Sequence, residues 1–395
     1  MLTVRSDIAE RIRSGLTQRN QLYTAFFERE AERLAQACQA MSDRFLAGGR
    51  LLAFGRGPYA TDAQHVSVEF VHPVIVGKRA LPALDLSMAF TGWVDAIVRP
   101  EDIAMGFGPP PGDAEVTQAL GAAARRGAMT FALPGASGSY AVDAGTDDPF
   151  LHQEMIEILY HTLWETVHVF FERRELGHDV GASAFLYPFL GQEKQATTGV
   201  LEEVAASIRM KVADDAKLRQ QIADEQIDAI ANAVERIGER LRRGGKLILF
   251  GNGGSATDAN DLALDCVMPP HGWQPIPAIS LSLEPANITA LANDVGTEVI
   301  FLRQLIAQAR PEDVVFAFST SGGSRNIVMA LEEARRRGLL TVALLGYDGG
   351  EIVRRGLADC PLIVRCDYIP RIQEVQASIY HLVRELLEAG THANR

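Results

Sequence analysis

The sequence predicts an α/β protein built from two tandem doubly wound domains. Each is a parallel sheet covered by helices and preceded by a helical arm. Three observations predict it. Short apolar runs alternate with helical patterns along the chain, the mark of parallel strands buried on both faces. Segments of the first half recur in the second: Gly48-Gly-Arg-Leu-Leu-Ala-Phe-Gly55 matches Gly244-Gly-Lys-Leu-Ile-Leu-Phe-Gly251. Finally, 395 residues suit two domains of ordinary size.

The elements follow in order. Residues 6–46 read as long helical material, ended by Gly48-Gly49. Arg50–Phe54 is a short buried strand, followed by the turn Gly55-Arg-Gly-Pro-Tyr59 and a helix carrying His65 and Glu69. Strands are expected at Leu81–Leu86, Asp102–Phe107 and Ala128–Leu133. Between the last two lie the loop Gly108-Pro-Pro-Pro-Gly112 and a helix stopped by Arg125-Arg126-Gly127. A long helix starts near Phe150. The first domain is placed at residues 1–178, a linker at 179–195 and the second domain at 196–395.

The second domain opens on helical material from 195 to 243, with a break expected near Asp214. Arg99–Phe107 recurs as Arg310–Phe318, and Ala119–Gly127 as Ala330–Gly338. The offset is 196 at the first match and 211 at the later two, so the second copy carries about 15 extra residues near Pro285–Phe301.

Composition excludes several classes. A formal net charge of −12, with no basic run longer than Arg335-Arg336-Arg337, argues against nucleic acid. No apolar run is long enough to span a membrane. Four cysteines without a CxxC pair, behind a polar N-terminus, point to free thiols in a reducing cytoplasm.

Two loops look built for an anion. Gly251-Asn-Gly-Gly-Ser255 follows a strand and opens a helix, where N–H groups and the dipole favour negative charge. Ser319-Thr-Ser-Gly-Gly-Ser324 does the same with four hydroxyls. Neither is a nucleotide P-loop, because GxxxxGK[ST] is absent, and no nucleotide cofactor is expected. An ordinary polar turn with a serine cap is the plainer alternative.

The helices carry a second set. His65 and Glu69 are four residues apart, on one face, as a metal or acid/base pair requires; Asp261 and Asp265 take the matching positions in the second copy. Gln153-Glu154 precedes His161 and Gln373-Glu374 precedes His381, with eight residues from Gln to His in both. Eight residues of helix rise about 12 Å. If both residues bind one ion, the helix must begin after the glutamine or the two must come from different copies.

Gly251-Asn-Gly-Gly-Ser255, Asn293-Asp294, Ser319-Thr-Ser-Gly-Gly-Ser324 and Arg371-Ile-Gln-Glu374 with His381 resemble the phosphoheptose isomerases, which are sedoheptulose 7-phosphate isomerases of the sugar isomerase (SIS) fold. The resemblance covers residues 196–395 and reaches residues 1–178 through the internal repeat. It implies tandem SIS domains, each with a five-stranded parallel sheet. It also implies a phosphorylated sugar as partner, and a homo-oligomer, here a dimer of pseudo-dimers.

Carried over, phosphate positions fall on Ser255, Ser319, Thr320, Ser321 and Ser324. Sugar-hydroxyl positions fall on Asn252, Gly253, Gly254, Asn293, Asp294 and Gln373. The catalytic glutamate and histidine positions fall on Asp265 and His381 in the second copy and on Glu69 and His161 in the first. Zinc is the implied metal. Its positions fall on His65, Glu69, Gln153 and His161, all of the family type, and on Asp261, Asp265, Gln373 and His381, where two aspartates depart from it.

The copies therefore differ. The first keeps the metal and acid/base set but has Pro58-Tyr59 where Gly254-Ser255 stand, and Gly108-Pro-Pro-Pro-Gly-Asp113 where the serine loop stands. The second keeps the cradle. Two functions follow as expectations. One is an aldose–ketose isomerase working through an enediol, either by Asp265 and His381 alone or by dividing labour with Glu69 and His161. The other is a non-catalytic SIS module that binds a phosphosugar or a protein as sensor or scaffold.

Overall fold

The computed structural model describes residues 2–73, 78–143, 145–175 and 197–392. The expected linker at 179–195 lies outside the described residues. The chain forms two compact units: Gln21–Asp214, and Met1–Asn20 together with Asp215–Arg395.

In the first unit, α1 (Leu2–Leu46, from Gln21 onward) leads to β1 (Leu51–Phe54), α2 (Ala60–Val71), β2 (Ala83–Asp85), α3 (Phe90–Ile97) and β3 (Ile103–Phe107). Then come α4 (Ala114–Arg125), β4 (Met129–Leu133), β5 (Tyr140–Ala141) and α5 (Pro149–Glu175). The part of α6 (Thr197–Glu225) that ends at Asp214 belongs here too. The sheet order is β2-β1-β3-β4-β5, parallel throughout.

Every residue of β1, β3 and β4 is buried. Alternate residues serve opposite faces. Leu51, Ala53, Met105, Phe107 and Phe131 join one core with Phe26, Leu34, Leu159 and Trp164 of α1 and α5. Leu52, Phe54, Ala104 and Ala132 join the other with Phe90, Val94, Val116 and Leu120 of α3 and α4.

The second unit repeats the plan. Its arm is α6 from Asp215 and α7 (Ile227–Arg242). β6 (Leu247–Phe250), α8 (Gly254–Val267), β7 (Ala278–Ser280), α9 (Pro285–Asp294) and α10 (Ile300–Gln308) follow. β8 (Val314–Ser319), α11 (Arg325–Arg336), β9 (Leu340–Gly346), α12 (Gly350–Arg354), β10 (Cys360–Val364) and α13 (Ile369–His392) complete it. The order is β10-β9-β8-β6-β7, again parallel.

Equivalent contacts fix the correspondence. Arg50 pairs with Asp102 at 2.7 Å, and Lys246 with Asp313 at 2.6 Å. Phe54 stacks on Phe90 of α3 at 5.1 Å, and Phe250 on Phe301 of α10 at 5.0 Å. Helix α10 is thus the counterpart of α3, and the extra segment expected near Pro285–Phe301 is the additional helix α9, which buries none of its residues.

The arm breaks later than the sequence suggests. Helix α6 runs through Asp214 to Glu225, and the interruption falls at Gln226. The Gln226 side chain takes the place of a neighbouring strand at the sheet edge. Its amide oxygen accepts from the Ile363 N–H at 2.9 Å and its amide nitrogen donates to the Ile363 carbonyl. That pairing satisfies backbone groups of the edge strand β10.

Cys38, Cys266, Cys360 and Cys366 are free thiols. No helix among the described residues is long and apolar enough to cross a membrane.

Candidate active site

In both sheets the chain leaves the first strand to one side and returns to the other, so the order reverses between β1 and β3 and between β6 and β8. Ligands of open α/β sheets bind beyond the carboxyl ends of strands at such a reversal. The glycine turn follows β6 and the serine loop follows β8, which makes them neighbours across the second unit's reversal.

The turn enters α8 through Gly253, whose φ of 57° and ψ of −128° a side chain would resist. Ser255, on the first turn of α8, is 5% exposed. The serine loop approaches its neighbour as closely. A Cβ at Gly322, at φ +61°, would lie 2.2 Å from the Gly349 carbonyl oxygen.

Inside the loop, the Ser319 hydroxyl accepts from the Gly322 N–H at 3.1 Å and the Ser321 hydroxyl from the Gly323 N–H at 3.3 Å. Ser324 occupies the N-cap of α11, yet its hydroxyl makes no cap bond. Of the first N–H groups of that helix, Ile327's donates to Asn326 Oδ1 at 2.9 Å, and the Ser324 side chain caps none of them. Asn252 and Asn326 exchange amide hydrogen bonds of 3.0 and 2.9 Å, tying the glycine turn to α11.

Behind the cradle, α8 and α13 bring Asp261, Asp265 and His381 together, all buried. His381 Nε2 lies 3.2 Å from Asp265 Oδ2 and 3.4 Å from Asp261 Oδ2. The Tyr380 hydroxyl donates to Asp261 Oδ2 at 2.8 Å. Burial, then the charge of Asp261, raises the Asp265 carboxyl to about 7, against the opposing pull of His381 and Arg384. Gln373, two turns before His381 on α13, is 2% exposed, and its amide oxygen accepts no hydrogen bond among the described residues. Asn293 and Asp294 are exposed at the end of α9, where the Asn293 amide donates to Asp294 at 2.7 Å.

The first unit fills the corresponding slots differently. His65, Glu69 and His161 cluster with donor atoms within 4.8 Å of one another, all buried. His161 Nε2 is 3.3 Å from His65 Nε2, and Glu69 Oε1 is 3.8 Å from His65 Nε2. Gln153 turns instead to the start of α2. Its amide nitrogen reaches Asp62 Oδ2 at 3.2 Å and Thr61 Oγ1 at 3.4 Å. Both long helices begin before their glutamines, at Pro149 and Ile369, which removes the idea of a helix starting after the Gln.

The first unit's loop is also closed from within. Asp113 stands at the N-cap of α4, and its carboxylate accepts from the Glu115 and Val116 N–H groups at 2.9 and 3.0 Å. Arg56 lies 3.6 Å from Asp113 and 3.3 Å from Glu115.

A metal fits the His65, Glu69 and His161 set. Two ligands of tetrahedral zinc at ordinary Zn–N distances lie about 3.3 Å apart, and two imidazoles with one carboxylate are donors zinc accepts. Asp261, Asp265 and His381 have similar spacings, but two oxygens and one nitrogen suit a harder cation.

Several residues went unnoticed in the sequence. Asn326 and Tyr380 are two; Tyr-His recurs at Tyr160-His161 and Tyr380-His381, a signal available from the repeat alone. Asp113 stands in the first copy's loop in the sequence, but its role as a cap is visible only in the backbone.

The SIS domain family matches residues 212–346. The phosphoheptose isomerase of Geotalea daltonii is 42% identical over 192 residues, which are 48% of this chain and 97% of that protein. That of Trichlorobacter lovleyi is 41% identical over 184 residues, 46% of this chain and 93% of that one. In fold, the chain is similar to the tagatose-6-phosphate ketose/aldose isomerase of Escherichia coli, with a TM-score of 0.58 at 13% identity over 97% of this chain and 94% of that one.

Proposed function

Because the chain belongs to the phosphoheptose isomerase family, we propose that it is a phosphosugar aldose–ketose isomerase, with sedoheptulose 7-phosphate as the first substrate to test. The observation that carries the reading is the pairing, in one unit, of the uncapped serine loop with the buried Asp265–His381 contact. The hydroxyls of Ser255, Ser319, Thr320, Ser321 and Ser324 and the start of α11 hold the phosphate. Asn252, Gly253, Gly254 and Gln373 meet the sugar chain, with Asn293 and Asp294 contributing from α9.

Isomerisation moves a proton between adjacent carbons through an enediol. Asp265, its carboxyl raised to about 7, suits a base that takes the proton from carbon near neutral pH. His381 suits the acid that protonates the carbonyl oxygen. Tyr380 holds Asp261 beside them.

Zinc is assigned to His65, Glu69 and His161; Gln153, two turns before His161 on α5, is not counted in that set. Bound there, zinc would supply Lewis acidity toward an oxygen ligand. Asp265, Asp261, Gln373 and His381 are the less favoured set, because binding there would occupy the base.

The test is turnover. Purified protein incubated with sedoheptulose 7-phosphate in deuterium oxide should form the aldose isomer with deuterium at the carbon next to the carbonyl. Absence of turnover with this and other phosphosugars sinks the reading and favours the non-catalytic module.

A further inference from the structure

Gln376 lies on α13, three residues after Gln373, and is 0% exposed. Neither its amide oxygen nor its amide nitrogen has a hydrogen-bond partner among the described residues. Buried amides are nearly always paired, so one with both ends idle needs an explanation. Helical spacing supplies a direction. Residues 373, 376 and 380 are three and four apart and share one stripe of the helix. On that stripe the Gln373 amide oxygen is also without a donor, and the Tyr380 hydroxyl reaches Asp261 of the candidate site.

The first unit gives a control inside the same chain. The offset of 220 that relates Gln153 to Gln373 relates Ile156 to Gln376. Ile156 is a buried member of an apolar cluster. An isoleucine therefore packs at this helical position where no cradle is present, and an amide stands there where one is.

We propose that Gln376 is a second amide ligand of the sugar, meeting the hydroxyls of the open chain beside Gln373. This rests on the phosphosugar reading. The chemistry matches: a vicinal diol both donates and accepts, and an amide carbonyl with its NH2 group accepts and donates in turn. A substrate would pair amide atoms that have no partner among the described residues. A phosphate ion alone, held by the serine loop, would not.

The test compares two ligands on full-length protein by titration calorimetry. Gln376→Met removes the amide and keeps the length of the side chain. It should weaken sedoheptulose 7-phosphate by about 10- to 100-fold, leave inorganic phosphate within about twofold, and leave the ligand-free melting temperature equal or higher. Three results overturn the assignment. They are sugar-phosphate affinity retained within about twofold, equal weakening of both ligands, and a wild-type protein that binds no phosphosugar more tightly than phosphate. Should Gln376→Met fail to fold, Gln376→Asn, which shortens the reach and keeps the amide, is read by the same ligand comparison. Wild-type binding without turnover defeats the isomerase reading and leaves the Gln376 assignment standing.

Discussion

Two loops in equivalent places meet the same problem with opposite solutions. Each follows the third strand of its sheet and opens a helix whose first N–H groups lack partners within the helix. In the first unit Asp113 supplies the partner, with bonds of 2.9 and 3.0 Å to two of those N–H groups, and Arg56 stands beside it. In the second unit the residue 211 positions later is Ser324, whose hydroxyl makes no such bond. A carboxylate at the helix start is what an incoming phosphate would otherwise be. The first loop is thus stabilised as a structural turn, whereas the second has the Asn326 side chain on its Ile327 N–H and is the proposed ligand loop. One position decides which, and the flanking prolines and serines agree with it.

The sharpest way to break this comparison is to install the first solution in the second unit. Ser324→Asp should cap α11 from within and set a negative charge at the proposed phosphate site. Phosphosugar affinity should fall by about 100-fold or more, with the melting temperature equal or higher. Retained affinity in calorimetry would mean that the helix start is not the phosphate site.

A pH series asks whether chemistry accompanies the open loop. The Asp265 carboxyl is raised to about 7 by burial and by Asp261, with His381 and Arg384 facing it. As a base it must be ionised, so kcat/KM should fall about tenfold for each pH unit below 7. Stability runs the other way. A carboxyl raised in the folded state contributes stability that is fully present below its unfolded value and is lost as pH rises through about 7. Asp265→Asn should abolish turnover and flatten that part of the melting-temperature profile together. An activity profile flat between pH 5 and 8 would remove Asp265 from the mechanism.

The smallest effect is expected in the first unit. Asp113→Ala removes an N-cap and should cost about 1 kcal/mol of stability, read as a lower midpoint in urea. It should leave phosphosugar affinity and turnover unchanged. A loss of affinity would show that the first loop takes part in binding.

Much of this was legible in the residues. The apolar runs located β1, β3 and β4, and their recurrence located β6 and β8, because strands buried on both faces leave continuous apolar sequence. The change of offset from 196 to 211 foretold an extra segment, which folds as helix α9. The four-residue spacings of His65 with Glu69 and of Asp261 with Asp265 were readable as shared faces, and His161 and His381 join them in the folded units. What escaped depends on tertiary pairing. The arm breaks at Gln226, not near Asp214, because the Gln226 side chain pairs with the backbone of β10, a partner more than 130 residues away. Gln153 bonds to the start of α2, which spacing along α5 does not reveal. The Asn252–Asn326 exchange and the idle amide of Gln376 likewise exist only once the helices are packed.

The most direct measurement is the number of phosphosugar molecules bound per chain. Calorimetric titration of the wild-type protein with sedoheptulose 7-phosphate should saturate at one per chain, with that binding lost in Ser324→Asp and kept in Asp113→Ala. Saturation at two per chain, or binding that survives Ser324→Asp, would contradict a single open cradle in the second unit.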